Sequence, residues 1–128
     1  MNDWDEDFYK EFNALKDRKP GLKTYISVGG WDAGGKVFSD MARFPGTRNA
    51  FIKSAIDLMV TYGFDGVDID WEYPAAADRQ GLAEDTKNMV TLMKELHEAC
   101  QGNYGVTVTL PSSYCMRCTF PSSLEMMK

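Results

Sequence analysis

The chain has 128 residues, 44% hydrophobic and 26% charged, which suits one globular domain around one core rather than a disordered chain. Its formal net charge of -5 argues against nucleic acid or an anionic membrane as a partner, since both select basic surfaces. A neutral sugar stays compatible, because carboxylates and aromatic rings rather than cations hold it.

Residues 1–10 (MNDWDEDFYK) are acidic and lack the basic-then-apolar pattern of an export signal. No apolar run approaches the roughly 20 residues of a membrane span. Phe8, Phe12 and Leu15 recur at helical spacing and predict a first helix with one apolar stripe, closed by Pro20-Gly21. Residues 22–28 (LKTYISV) are short, β-branched and aromatic, which predicts a strand. Gly29-Gly30 and Gly34-Gly35 mark a loop after it.

Thr47 is placed to cap a second helix, with Phe51, Ile52, Ala55, Ile56 and Met59 on its buried side and Gly63 at its stop. Residues 64–72 (FDGVDIDWE) alternate apolar and acidic side chains, the pattern of a second strand. Met89, Leu92, Met93, Leu96 and Cys100 share one face of a third helix that ends at Gly102. Residues 104–110 (YGVTVTL) predict a third strand. Strands alternating with helices at intervals of about 40 residues predict parallel βα units, with no linker and no sequence repeat.

The chemistry concentrates in residues 65–72. Side chains on a strand alternate faces, so Asp68, Asp70 and Glu72 share one face while Val67, Ile69 and Trp71 point to helices. Three acids crowded on one face cannot all ionise normally, so one is expected to hold a proton near neutral pH, as a general acid must. At the C-terminal mouth of a parallel α/β barrel, Glu72 would lie nearest substrate and Asp68 deepest. The plainer alternative is an acidic solvent face on an antiparallel edge strand. Against it stand the flanking helices and the aromatic-proline pair Tyr73-Pro74, which suits a pocket rim.

The run from Asp65 to Pro74 (DGVDIDWEYP) resembles the DGxDxDWEYP signature of glycoside hydrolase family 18, most nearly its fungal, killer-toxin-subunit-like chitinases. Upstream, Ser27-Val28-Gly29-Gly30 resembles the SxGG motif of the same family, and the order and separation of the two motifs also fit. The resemblance implies an α/β fold, a partial TIM (β/α)8 barrel whose third to fifth strands this chain supplies. It implies hydrolysis of chitin or chitooligosaccharide by a substrate-assisted, retaining mechanism.

In that mechanism Glu72 would be the proton donor. Asp70 would orient the substrate's acetamido group, Asp68 would set the protonation of Asp70, and Ser27 would support the aspartates. Gly29, Gly30, Trp31, Asp32 and Tyr73 would line the sugar site. For Trp31 the plainer alternative is a core tryptophan. No cofactor, metal or protein partner is expected, and the family implies an extracellular parent enzyme.

A closed barrel of this type needs about 250 residues. Residues 1–114 therefore match only part of a catalytic domain, and little activity and weak stability are expected of the chain alone. Residues 115–128 (CMRCTFPSSLEMMK) form a divergent tail that departs from the family pattern. Three alternatives stay open: a chitin-binding module without catalysis, an inert gene fragment, and a zinc site built from His97, Cys100, Cys115 and Cys118. An odd cysteine count defines no disulfide framework.

Overall fold

A computed structural model describes residues 5–110. Three strands, β1 (Tyr25–Gly29), β2 (Gly66–Asp70) and β3 (Gly105–Val108), form one sheet in the order β1-β2-β3, with both pairs parallel. Parallel neighbours need a crossover, and helices supply it. Helices α3 (Gly35–Arg43) and α4 (Pro45–Tyr62) join β1 to β2, and α5 (Asp85–Cys100) joins β2 to β3. Two short helices, α1 (Asp5–Asn13) and α2 (Leu15–Arg18), precede the sheet. The α/β class with parallel strands is therefore as the sequence predicts.

All of the core lies on one side of this sheet. Val67, Ile69 and Trp71 are at most 1% exposed and pack among Phe38, Ile52, Met59, Met89, Leu92 and Leu96 from the crossover helices. Phe38 stacks on Trp71 with ring centroids 5.7 Å apart and planes 19° from parallel. Burying these side chains is the main stabilising term, about 1.5–3 kcal/mol for each large one.

Structure and expectation part in three places. Helix α3 occupies the stretch after Gly34-Gly35, where only a loop was expected. Phe38 and Ala42 recur there at helical spacing and are buried with Ser39 against the core. Thr47 is not the N-cap of α4: that helix starts at Pro45, with Phe44 at the cap position. Pro45 suits the first turn because its missing N–H is one that no helical carbonyl would accept from. The Thr47 hydroxyl donates instead to the carbonyls of Met41 at 2.6 Å and Phe44 at 2.9 Å.

The first predicted helix is in fact two, and its apolar stripe is exposed: Phe8 is 61% and Phe12 46% accessible. The face that α1 buries centres on Tyr9, whose ring meets Tyr62 at 5.1 Å and Phe64 at 5.5 Å, both edge-on.

Helix ends follow local chemistry. Gly63 terminates α4 in the left-handed conformation, φ 78°, and its N–H returns to the Met59 carbonyl at 2.9 Å. Below it, Asp65 ties the sheet's N-terminal end together. Its carboxylate accepts from the Thr24 backbone N–H at 2.9 Å, Lys23 Nζ at 2.9 Å and Lys16 Nζ at 3.1 Å. The Thr24 hydrogen bond first, then the two lysines, hold its pKa well below the usual carboxylate range, against the opposing effect of burial.

Candidate active site

The face of the sheet away from the helices is built in rows. Register places Tyr25 beside Gly66 and Gly66 beside Gly105 in the first row. The two glycines are there because the Tyr25 ring lies over them: a Cβ on Gly66 would fall 2.2 Å from Tyr25 Cε1, and one on Gly105 1.9 Å from its hydroxyl oxygen. The second row is Ser27, Asp68 and Thr107. The third pairs Gly29 with Asp70, and Glu72 follows two residues past the strand end.

Burial along β2 follows the period of two. Val67, Ile69 and Trp71 are buried; Asp68, Asp70 and Glu72 are only partly so. Asp68 and Asp70 thus share the helix-free side, as the alternation predicts, and Glu72 continues the same period just past the strand.

Asp68 is held from both neighbouring strands. Its Oδ2 accepts from the Ser27 hydroxyl at 3.1 Å and the Thr109 hydroxyl at 2.8 Å, and its Oδ1 from the Thr107 hydroxyl at 2.7 Å. Ser27 therefore supports an aspartate directly, and the aspartate is Asp68. Asp70 differs: its Oδ1 is enclosed and accepts no hydrogen bond among the described residues. Buried acceptors are seldom left unmatched, so such a group calls for an explanation.

Gly29 and Gly30 serve the backbone. Gly29 has φ 126°, and a Cβ there would stand 2.1 Å from the Asp70 carbonyl oxygen. The Gly30 N–H donates to that same carbonyl at 2.9 Å, and a Cβ on Gly30 would lie 3.7 Å from Asp70 Oδ2. The two glycines let the β1 loop press against the end of β2, beside the Asp70 carboxylate.

Trp31 and Asp32 occupy the short 3-10 turn Trp31–Ala33 and both are exposed. Trp31 is 58% accessible, so it is not a core tryptophan. Asp32 faces solvent and makes no ion pair among the described residues. Tyr73, half-buried, is joined to Glu72 by a cis peptide bond, and its carbonyl accepts from the Ala76 N–H at 3.2 Å.

Several residues of the site were not singled out from sequence. Thr107 and Thr109 could have been, because their alternation with Val106 and Val108 puts both hydroxyls on the face of the acids. Asp85 is fully buried and organises the loop after Glu72. It accepts from the Ser39 hydroxyl at 2.7 Å, the Leu82 N–H at 2.7 Å and the Ala75 N–H at 3.4 Å. Arg79 reaches from the 3-10 turn Ala77–Arg79 to Trp31, and no pattern in the sequence points to it.

No cluster of metal-ligating side chains occurs among the described residues; Cys115 and Cys118 lie outside them, as does the boundary at residues 114–115. His97 and Cys100 both lie on α5, with Cys100 buried in the core. No described helix is long and apolar enough to cross a membrane.

The sequence profile of glycosyl hydrolases family 18 matches residues 1–119. A probable endochitinase of Caenorhabditis elegans is 46% identical over 107 residues, which cover 83% of this chain and 16% of the relative. An oviduct-specific glycoprotein of Ovis aries is 42% identical over 100 residues, 78% of this chain and 18% of that protein. Among solved structures, the Ostrinia furnacalis Group IV chitinase in complex with allosamidin superposes with a TM-score of 0.85 at 34% identity, over 92% of this chain and 32% of the insect chain. The chain thus spans less than a fifth of these two curated relatives and about a third of that structure. With a profile matched over nearly its whole length and strong likeness in both sequence and fold, the chain belongs to glycosyl hydrolases family 18.

Proposed function

We propose that this chain carries the acid-bearing face of a chitinase, and that its sheet is a three-strand sector of a (β/α)8 barrel. The observation that carries the proposal is the placement of Asp68 and Asp70 on the helix-free side of β2, with Glu72 next in the same period just beyond the strand's C-terminal end. Active sites of parallel barrels are built at that end. The substrate is a β-1,4 polymer or oligomer of N-acetylglucosamine.

Family 18 is an exception to the two-carboxylate retaining scheme, because the substrate's own acetamido oxygen is the nucleophile. That oxygen bonds to the anomeric carbon while the bond to the leaving oxygen breaks. Glu72 gives its proton to the leaving oxygen. It then takes a proton from the water that opens the oxazolinium ring, so the enzyme returns to its starting state with configuration retained. Asp70 accepts the acetamido N–H, and its unmatched oxygen is a group that such a donor would satisfy. Asp68, fastened by three hydroxyls, backs Asp70 from one residue row below. Trp31 offers a ring face to a pyranose, with Asp32 and Tyr73 at the rim.

The relatives are not all named for catalysis: one at 46% identity is called a probable endochitinase and another at 42% a glycoprotein. A binding role without turnover is therefore the second possibility, and Glu72 decides between them. In a chimera where this chain replaces the matching segment of a full chitinase barrel, chitin oligosaccharide should be cleaved. Glu72→Gln should lower kcat by about 10²–10⁴-fold while binding persists, because an amide cannot donate the proton. Binding without turnover by the unmutated chimera would leave only the binding role.

The fungal, killer-toxin-subunit-like branch and an extracellular site of action are finer proposals. They rest on the resemblance of the DGVDIDWEYP run alone.

A further inference from the structure

Two loops leave the sheet at the same end. The loop after β1 carries Trp31, and the loop after β2 carries Glu72 and Arg79. Arg79 joins them. Its guanidinium carbon lies 3.8 Å from the centre of the Trp31 ring, its Nη2 donates to the Trp31 carbonyl, and its Nε donates to the Glu72 carbonyl at 3.3 Å.

The backbone of Arg79 is itself fixed. A Cβ on the buried Gly35 would fall 2.7 Å from the Arg79 carbonyl oxygen, so α3 starts directly against it. Asp85 holds the base of the same loop through the Leu82 and Ala75 N–H groups, and the Gly81 N–H closes on the Ala76 carbonyl at 2.8 Å. Arg79 is thus a braced side chain, unlike a solvated surface arginine. With the guanidinium on one face, Trp31 remains 58% accessible, which leaves the rest of the ring open.

We propose that Arg79 is a positioning residue that presents Trp31 as a one-sided stacking platform for an N-acetylglucosamine unit and ties that platform to the backbone of Glu72. The inference rests on the proposed function for its ligand. A pinned indole loses less rotamer freedom when a sugar stacks on it, so the pin strengthens binding without touching the sugar. Lysine keeps the charge but has neither the planar stack nor the forked donors.

The test has two arms on the 128-residue chain. Without ligand, the Arg79 Nε–H resonance should be shifted upfield by the Trp31 ring current, and Trp31→Ala should remove that shift. An unshifted resonance in the wild type overturns the inference. With a chitin oligosaccharide as titrant, Arg79→Ala should weaken binding by about 5-fold, the scale of a cation–π contact at a partly exposed site, and Trp31→Ala by at least as much, because it removes the platform itself. The double variant should bind no more weakly than Trp31→Ala alone, and Arg79→Lys should fall between wild type and Arg79→Ala.

Independent, multiplying losses, or wild-type affinity in Arg79→Ala, overturn the inference and leave the proposed function standing. No saturable binding by the wild type, or no effect of Trp31→Ala, overturns the inference, because Trp31 is then no platform for the sugar; the proposed function is judged separately, by cleavage in the chimera and its loss in Glu72→Gln. Melting temperatures accompany each variant. If Arg79→Ala is unfolded, Arg79→Lys carries the comparison, and wild-type affinity in that variant overturns the inference.

Discussion

Asp68 and Asp70 are separated by one residue and face the same way, yet their surroundings differ. Asp68 accepts three hydroxyl hydrogen bonds from β1, β3 and the residue after β3, so its carboxylate is oriented before any ligand arrives. Among the described residues nothing donates to the enclosed Oδ1 of Asp70, so that oxygen holds no hydrogen bond that an incoming donor would have to displace. The glycine beside Asp70 is as constrained as the acids. Gly29→Ala would drive a methyl group onto the Asp70 carbonyl at a positive φ. Urea unfolding should show a loss of about 3 kcal/mol, in the range of steric faults at special backbone positions. Wild-type stability in that variant would mean that β1 and β2 can separate more easily than the register implies.

Elements are joined to one another at their ends, and Asp65 is the joint at the N-terminal end of the sheet. It stands in the same sequence run as the site acids but anchors the opposite end, holding Thr24 at the entry to β1 and Lys16 on α2. Its folded-state pKa lies below the unfolded value, so the folded state binds fewer protons in acid. The resulting stability is present in full above about pH 5 and is lost as pH falls below about 4. Glu95 acts with the same sign, its pKa lowered by the bidentate Arg48 pair at 2.7 and 2.8 Å between α4 and α5. Thermal melts between pH 7 and pH 2 should show this fall. Asp65→Asn should flatten part of it and cost about 2 kcal/mol at neutral pH, the scale of a charged hydrogen bond. An unchanged acid limb would remove Asp65 from the account.

At the scale of the molecule, the helices cover one side of the sheet, and among the described residues none covers the other. Parallel sheets are ordinarily covered on both faces, and both outer edges of this sheet lack a strand partner among the described residues. The α1–α2 stripe of Phe8, Phe12 and Leu15 adds exposed apolar surface. Surface of this kind drives association when nothing caps it. Light scattering at rising concentration should report self-association of the 128-residue chain, and Phe8→Ser with Phe12→Ser should reduce it. A strictly monomeric wild type at high concentration would show that the stripe is not sticky enough to matter.

The local pattern of the chain determined the strands, their parallel order and the shared face of the three acids. The shared faces depend on short periods that the sequence displays directly, two for Asp68, Asp70 and Glu72 and three to four for Met89, Leu92, Leu96 and Cys100, and the parallel order on helices falling between the strands. The sequence also showed Gly29 and Gly30 as special, although their cause, the carbonyl of Asp70, lies far along the chain. Only the tertiary structure decided which partners meet. Asp68 with Thr107 and Thr109, Asp65 with Lys16, Asp85 with Ser39, and Arg79 with Trp31 are pairings made by register and helix packing. The same holds for the burial of Tyr9 in place of Phe8 and Phe12. Helical spacing says that a stripe exists, but only the surface that α4 and Phe64 present selects which side of α1 is covered.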